Sequence, residues 1–370
     1  QHGELLKDNG RVEMRNIDIY YDPMPGLGFQ TDYYTLKGDG EEAMHIAYGS
    51  TLSSDQHAAR SFDFMLANPP YGKSWKTDAE RMASGKKKEI LDTRFNATTA
   101  DEEPLPMIPR SSDGQLLFLL NNISKMKQNT PLGSRIVEVH NGSSLFTGDA
   151  GSGESNARRY MIENDLVEAI IALPEKMFYN TGIGTFIWVL SNRKEERRKG
   201  KIQLIDATAI KTPLRKNMGE KNCELSPAQR QEIVRIFMAF EESEVSRIFP
   251  NSEFGYWKVS VQQPLLDEQG NPALDKKGRI QPDKAKADTE IIPFRYEGGI
   301  EAFMDAEVRP YAPGAYIDPK ATKIGYELSF TKYFYKPVQL RPMEDIVADL
   351  KALEKETDGM LAEILGGIQG

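Results

Sequence analysis

The sequence predicts an α/β protein built on a doubly wound, mostly parallel sheet. Three features lead there. Short, almost continuously apolar runs alternate with segments of helical periodicity, as in sheets covered on both faces. Most runs stop at a Pro, Gly or Asn signal. One run ends in Asn68-Pro69-Pro70-Tyr71, a rigid turn of the kind that places ligand-binding atoms at the carboxyl edge of such a sheet.

The elements follow in order. Residues 17–21 read as a strand ended by Asp22-Pro23, and 62–67 as a strand cut off at Asn68. Residues 73–110 are polar and too long for an ordinary connection, so they read as a mobile insertion near the site. Residues 113–127 read as a helix capped by Asp113, with Leu116, Leu117, Leu120 and Ile123 on one face. A strand at 135–140, a helix at 154–164 and strands at 166–173, 185–190 and 202–207 follow, the last two joined by the charged turn 192–200 as a terminal antiparallel hairpin. Beyond about residue 215 the pattern changes. Ser226-Pro227 opens a helix running to about Phe249, and residues 265–295 read as an exposed loop or hairpin. The last helix, from Pro342, carries Ile346, Leu350, Leu353, Met360 and Ile364 at seam-like spacing, weakened by about 1 kcal/mol at Gly359. This divides the chain into 1–215, a catalytic domain; 216–340, a region of loops and short strands; and 341–370, a helix suited to a partner or to its own domain.

Composition limits the chemistry. Of 370 residues, 39% are hydrophobic, enough for an ordinary core. No apolar run reaches the roughly 18 residues of a membrane helix, and Gln1-His2-Gly3-Glu4 does not read as a secretory signal. The single Cys223 excludes a disulfide framework and fits a reducing cytoplasm. The four histidines lack metal-ligand spacing, and neither a Walker loop nor a Gly-x-Ser-x-Gly elbow is present. Net charge is −8, whereas a protein that grips duplex DNA unaided carries a basic face. A nucleic-acid substrate would therefore be held largely by another subunit, and the clusters Lys86 to Lys88 and Arg193 to Lys199 read as solvated faces.

Asn68-Pro69-Pro70-Tyr71 carries the chemistry. An exocyclic amine on a nucleobase or carboxamide is a poor nucleophile because its lone pair is delocalised. Two acceptors on its hydrogens draw that pair out of conjugation. The Asn68 side-chain oxygen is one, and the Pro69 carbonyl in a turn without competing N–H donors is the other. Pro70 stiffens the turn, and Tyr71 offers a flat face for a planar target. A duplex base would have to flip out to reach it. A protein glutamine amide would suit the same acceptors, and a plain strand-ending turn is the alternative without chemistry. On the cofactor side, Gly26 and Gly28 after Asp22-Pro23 allow close backbone approach to a ligand, and Ser50, in a turn after a short strand, is placed to meet an adenine ring.

The run FDFMLANPPYGKSWK (62–76) resembles the catalytic segment of amino-group DNA methyltransferases. With residues 111–127, 133–148, 166–207, 324–335 and the last helix, the chain resembles more narrowly the methylation subunit of type I restriction–modification systems. That resemblance implies a class I methyltransferase fold and transfer of a methyl group from S-adenosyl-L-methionine to adenine N6. Asn68 and Pro69 would hold the amine, Tyr71 would stack on the flipped base, and Phe178 would lie in a second loop over the base pocket. It also implies partners: a DNA-specificity subunit, a nuclease subunit, a second methylation subunit and duplex DNA. Two departures stand out. The family's helical N-terminal domain is not in this sequence, and the glycine motif is altered, with only about twenty residues between Gly28 and Gly49. No ribose-binding acid is assigned, and a non-catalytic assembly subunit is the reading from another class.

Overall fold

The computed structural model describes residues 4–8, 11–15, 49–70, 72–179, 181–335 and 342–366. The chain divides into two compact units, residues 1–50 with 54–57, and 51–53 with 58–370. In the first, β1 (Glu4–Asp8) and β2 (Arg11–Arg15) pair antiparallel from Glu4↔Arg15 to Asp8↔Arg11. The strand predicted at 17–21 lies outside the described residues.

The second unit opens with β3 (Phe64–Ala67), short because Asn68-Pro69-Pro70 removes two ladder donors. The polar stretch after it is not the loose insertion that its composition suggests. It forms α1 (Lys76–Met82), the hairpin β4 (Ala83–Ser84) and β5 (Glu89–Ile90), and the hairpin β6 (Asn96–Thr98) and β7 (Pro104–Pro106). Four widely spaced apolar side chains, Trp75, Phe95, Leu105 and Met107, are buried and pin it down. Arg94 adds bonds to the Thr51 and Leu52 carbonyls and to Asn121.

Next come α2 (Gln115–Ser124), β8 (Arg135–Asn141), the single turn α3 (Ser143–Phe146), α4 (Gly153–Glu163), β9 (Val167–Ala172), β10 (Thr185–Ser191) and β11 (Lys201–Asp206). Apart from the unpredicted α3, these match the predicted elements to within about three residues at each end. A hairpin, β12 (Thr212–Met218) with β13 (Lys221–Glu224), precedes α5 (Pro227–Ala239). Ser226 and Gln229 close a capping box at the start of α5. The helix stops ten residues earlier than predicted, at a left-handed Phe240. Its last carbonyls accept from Arg197 and Arg198, and the chain turns into β14 (Ser246–Pro250).

These strands form one six-stranded sheet in the order β14-β11-β9-β10-β8-β3. β3, β8, β9 and β11 share one direction, while β10 and β14 oppose it. The predicted β10–β11 hairpin does not form, because β9 lies between them. β9 satisfies both neighbours, and all six of its residues are buried. One face is covered by α2 and α4 over Ile136, Ile170, Trp188 and Leu204, the other by α5 over Ala169, Ile171, Val189 and Ile205. Helices on both faces make the fold doubly wound. α5 does not reach the β3 edge, where Phe64 and Leu66 are 65% and 82% exposed.

A second sheet, β16-β15-β17, is built from β15 (Gly255–Gln262), β16 (Asp288–Pro293) and β17 (Tyr316–Tyr326), with α6 (Gly299–Phe303) against it. Its β17 end is bolted to the first sheet by Arg158 of α4. That fully buried guanidinium donates to the Tyr326 carbonyl at 2.6 Å and the Ser144 carbonyl at 3.1 Å. Burial lowers its pKa to about 10, so it stays charged at neutral pH. Beyond β17, α7 (Phe330–Phe334) packs Phe330 into the main core. Residues on both sides of position 215 therefore build the main sheet and its core.

The exposed segment 265–283 holds an internal repeat. Asp267, Asp275 and Asp283 recur at eight-residue intervals, each accepting backbone N–H groups of its own turn. Leu265, Ala273 and Gln281 bond one another in a closed ring of three backbone hydrogen bonds. The last helix, α8 (Met343–Gly366), starts where the sequence places it.

Gly153 starts α4 against the Ile108 backbone, and a Cβ there would stand 1.8 Å from the Ile108 oxygen. Gly153→Ala should cost about 3 kcal/mol, read as a lower denaturant midpoint at unchanged slope. Arg158→Ala, which strands two buried carbonyls, should cost a similar amount.

Candidate active site at the carboxyl edge of the sheet

The parallel pairing of β3 with β8 runs from Phe64↔Arg135 to Ala67↔Glu138, so the chain leaves β3 at Asn68 beside the end of β8. Asn68 is exposed, Pro69 buried and Pro70 exposed. Among the described residues the Asn68 amide makes no hydrogen bond. Its oxygen and amino group are thus uncommitted at the sheet edge where open α/β folds take their ligands. Tyr71 lies outside the described residues.

Proline at 69 and 70 takes two N–H groups out of the loop, and among the described residues an anchor comes just after. Gly72, at φ +66°, donates its N–H to Asp113 Oδ1 at 3.3 Å. This left-handed conformation favours glycine. Asp113 is not the helix cap that its position suggests, since Gly114 occupies that place. Its carboxylate accepts instead from Gln115 N at 3.2 Å, Gln115 Nε2 at 2.7 Å and Ser143 Oγ at 2.9 Å. Gln115, 1% exposed, completes the network by donating to Asn141 Oδ1 at 2.8 Å and accepting from Asn141 N at 3.0 Å. Asp113 just before α2, Gln115 in α2, Asn141 at the end of β8 and Ser143 in α3 thereby hold the exit of the Asn-Pro-Pro loop. Sequence reasoning missed Gln115, Asn141 and Ser143. The one available signal was polar residues flanking two otherwise apolar elements.

Trp75 reinforces the same joint. Its N–H donates to the Ser111 carbonyl and its ring Nε1 to the Arg110 carbonyl, at 3.0 and 2.9 Å. A further buried pair lies behind, with His140 Nε2 2.8 Å from Glu138 Oε1 and Asn122 Nδ2 donating to Glu138 Oε2. Both His140 and Glu138 are fully buried, so they brace β8 and do not line an open cleft.

The second predicted loop follows β9 on the same edge. Phe178 in it is half-buried and Tyr179 is 56% exposed. Of the predicted cofactor residues, Asp22, Pro23, Gly26 and Gly28 lie outside the described residues. Ser50 belongs to the first unit, where its carbonyl accepts from Ser54 N at 2.9 Å. Among the described residues no cluster of His, Cys, Asp and Glu is placed to hold a metal ion, and no helix is long and apolar enough to cross a membrane.

The chain is thus a doubly wound α/β protein with an Asn-Pro-Pro turn, exposed at Asn68 and Pro70, at the carboxyl edge of its sheet. The family described as N-6 DNA Methylase matches residues 34–259, more than half of the chain, and this chain belongs to that family. It is similar to the methylase subunit of the type I restriction enzyme MjaIX of Methanocaldococcus jannaschii, 26% identical over 264 residues, covering 70% of this chain and 42% of that protein. It is also similar to the type I restriction enzyme HindI methylase subunit of Haemophilus influenzae, 28% identical over 162 residues, covering 43% of this chain and 30% of that one. The chain thus spans less than half the length of these relatives. Among solved structures, a type I restriction–modification methyltransferase subunit from Streptococcus thermophilus aligns with a TM-score of 0.43 and 23% identity, over 55% of this chain and 38% of that one.

The Gly72–Asp113 tether is testable directly. In Asp113→Ala, amide hydrogen exchange across residues 72–75 should speed up about tenfold, the loss of roughly 1.4 kcal/mol, while β8 stays protected.

Proposed function

We propose that the chain carries the catalytic half of an S-adenosyl-L-methionine-dependent methyltransferase acting on adenine N6 in DNA, as the methylation subunit of a type I restriction–modification assembly. The observation that carries this is the exposed Asn68 amide, free of hydrogen bonds among the described residues, on a loop clamped at Gly72. Membership of the N-6 DNA methylase family supports it.

Asn68 Oδ1 and the Pro69 carbonyl accept the two hydrogens of the adenine amino group. This localises the nitrogen lone pair and aims it outward. The clamp fixes that direction, and orientation is the main catalytic effect. Tyr71 stacks on the extruded base, and Phe178 closes over it from the second loop. S-adenosyl-L-methionine supplies an electrophilic methyl group on a sulfonium. The exposed, uncommitted Asn68 amide fits a donor at this edge. Asp22, Pro23, Gly26, Gly28 and Ser50 stay proposed cofactor contacts on the sequence alone. No strong base is needed, because the amine loses its proton to water after attack.

The assembly reading rests on α8. Ile346, Val347, Leu350 and Leu353 are 41%, 38%, 61% and 63% exposed, so this stretch leaves its apolar side chains uncovered. A specificity subunit that reads DNA would cover them and compensate the acidic charge of this chain. A restriction subunit and a second methylation subunit complete the proposed complex.

Asn68→Ala should lower methyl transfer to DNA at least a hundredfold while stability and assembly are unchanged. The assay follows labelled methyl groups from donor into unmodified duplex. Undiminished transfer by the variant would overturn the role of Asn68, and label entering only peptide glutamine would redirect the substrate. Leu350→Asp with Leu353→Asp should abolish co-purification with the specificity subunit and leave donor binding intact.

A further inference from the structure

The loop after β9 does not stand alone on the carboxyl edge. The β12–β13 hairpin is built onto it. Asn222 N donates to the Lys176 carbonyl at 3.0 Å and the buried Cys223 Sγ to the Glu175 carbonyl at 3.3 Å. The Tyr179 hydroxyl meets Met218 Sδ at 3.5 Å, and the Lys221 ammonium sits 5.2 Å above the Tyr179 ring.

Its charge is opposite to that of the chain. Residues 211–224 hold four cations, Lys211, Arg215, Lys216 and Lys221, and two carboxylates, Glu220 and Glu224, in a protein of net charge −8. Lys211, Arg215 and Lys216 are exposed, as is Lys176 in the adjoining loop, and among the described residues none of these four lies in an ion pair. The basic cluster at 193–199 differs, because most of its cations already have partners within the chain. Lys194 binds Asp165 at 2.6 Å, Lys199 binds Glu196 at 2.7 Å, and Arg197 and Arg198 close the end of α5. An exposed run of uncompensated cations on a structured hairpin is the arrangement that phosphates neutralise.

The placement fits a duplex. β11, which leads into the hairpin, stands four strand positions from β3 across the sheet. At about 4.8 Å per strand that is ~19 Å, roughly five or six base-pair steps along DNA. We propose that the β12–β13 hairpin grips the DNA phosphate backbone several base pairs from the extruded base, through Arg215 and Lys216 with Lys176 and Lys211 beside them. This rests on the DNA methyltransferase reading. The hairpin also gives the base loop a fixed partner, so backbone grip and base capture share one rigid piece.

The test measures duplex affinity by fluorescence anisotropy between about 50 and 200 mM salt, using the full-length protein in its native complex. Arg215→Ala with Lys216→Ala should make the slope of log K against log salt shallower by about two. Arg215→Lys with Lys216→Arg should restore it, and Lys276→Ala with Lys277→Ala should leave it alone. An unchanged slope in the hairpin variant overturns the proposal. So does an equal fall in the Lys276 and Lys277 variant, or a loss seen only as weaker subunit assembly, which would make the hairpin a protein contact. Asn68→Ala separates the two readings: it should bind DNA with the parental slope and fail to methylate. A parent complex that neither binds nor methylates DNA would instead sink the methyltransferase reading itself.

Discussion

The carboxylate of Asp113 is the constraint on which the site depends. Two consecutive prolines make a stiff turn, but they strip it of the N–H groups by which loops usually anchor themselves. Something outside the turn must hold it, and among the described residues the amide of Gly72 supplies that hold. Asp113 accepts that N–H together with donors from Gln115 and Ser143, so one side chain joins the loop exit, the start of α2 and the start of α3. The buried members of this network, Gln115 and Asn141, would each be an unsatisfied polar group in a low dielectric if left alone, so there the network is worth more than its separate bonds.

The same principle recurs where the layers meet. The fully buried Arg158 joins α3, α4 and β17 through backbone carbonyls. Glu168 in the central strand β9 is 1% exposed and is met by Arg135 and Arg198 at 3.1 and 3.4 Å. Such groups add little net stability over apolar ones of the same shape, but removing one partner is costly. They fix which elements sit together. The carboxyl edge inherits its geometry from them.

That edge gathers loops from distant parts of the sequence. The exits of β3, β8, β9 and β11 share it because these four strands run in one direction. The Asn-Pro-Pro turn, the polar network, the Phe178–Tyr179 loop and the β12–β13 hairpin are thereby brought to one side. The apolar residues of β3 on the uncovered face, Phe64 and Leu66, stay exposed because α5 covers only the β9–β11 side.

Local sequence alone determined most of the elements. Continuous apolar runs marked β8 to β11, periodicity marked α2 and α4, and Ser226-Pro227 marked the start of α5, since each signal is set by neighbours within one or two turns of chain. Asn68-Pro69-Pro70 was legible as a stiff turn offering acceptors, the proposed reaction centre, for the same reason: its acceptors and its rigidity lie in consecutive residues. The structure decided what depends on partners far along the chain. It inserted β9 between β10 and β11, ended α5 against Arg197 and Arg198, and folded residues 73–110 onto a few buried anchors such as Trp75 and Phe95. It also turned Asp113 from a helix cap into the tether of a loop forty residues away. A hydrogen bond across that separation leaves no periodic trace in sequence, because its two ends meet only when the sheet has brought them together.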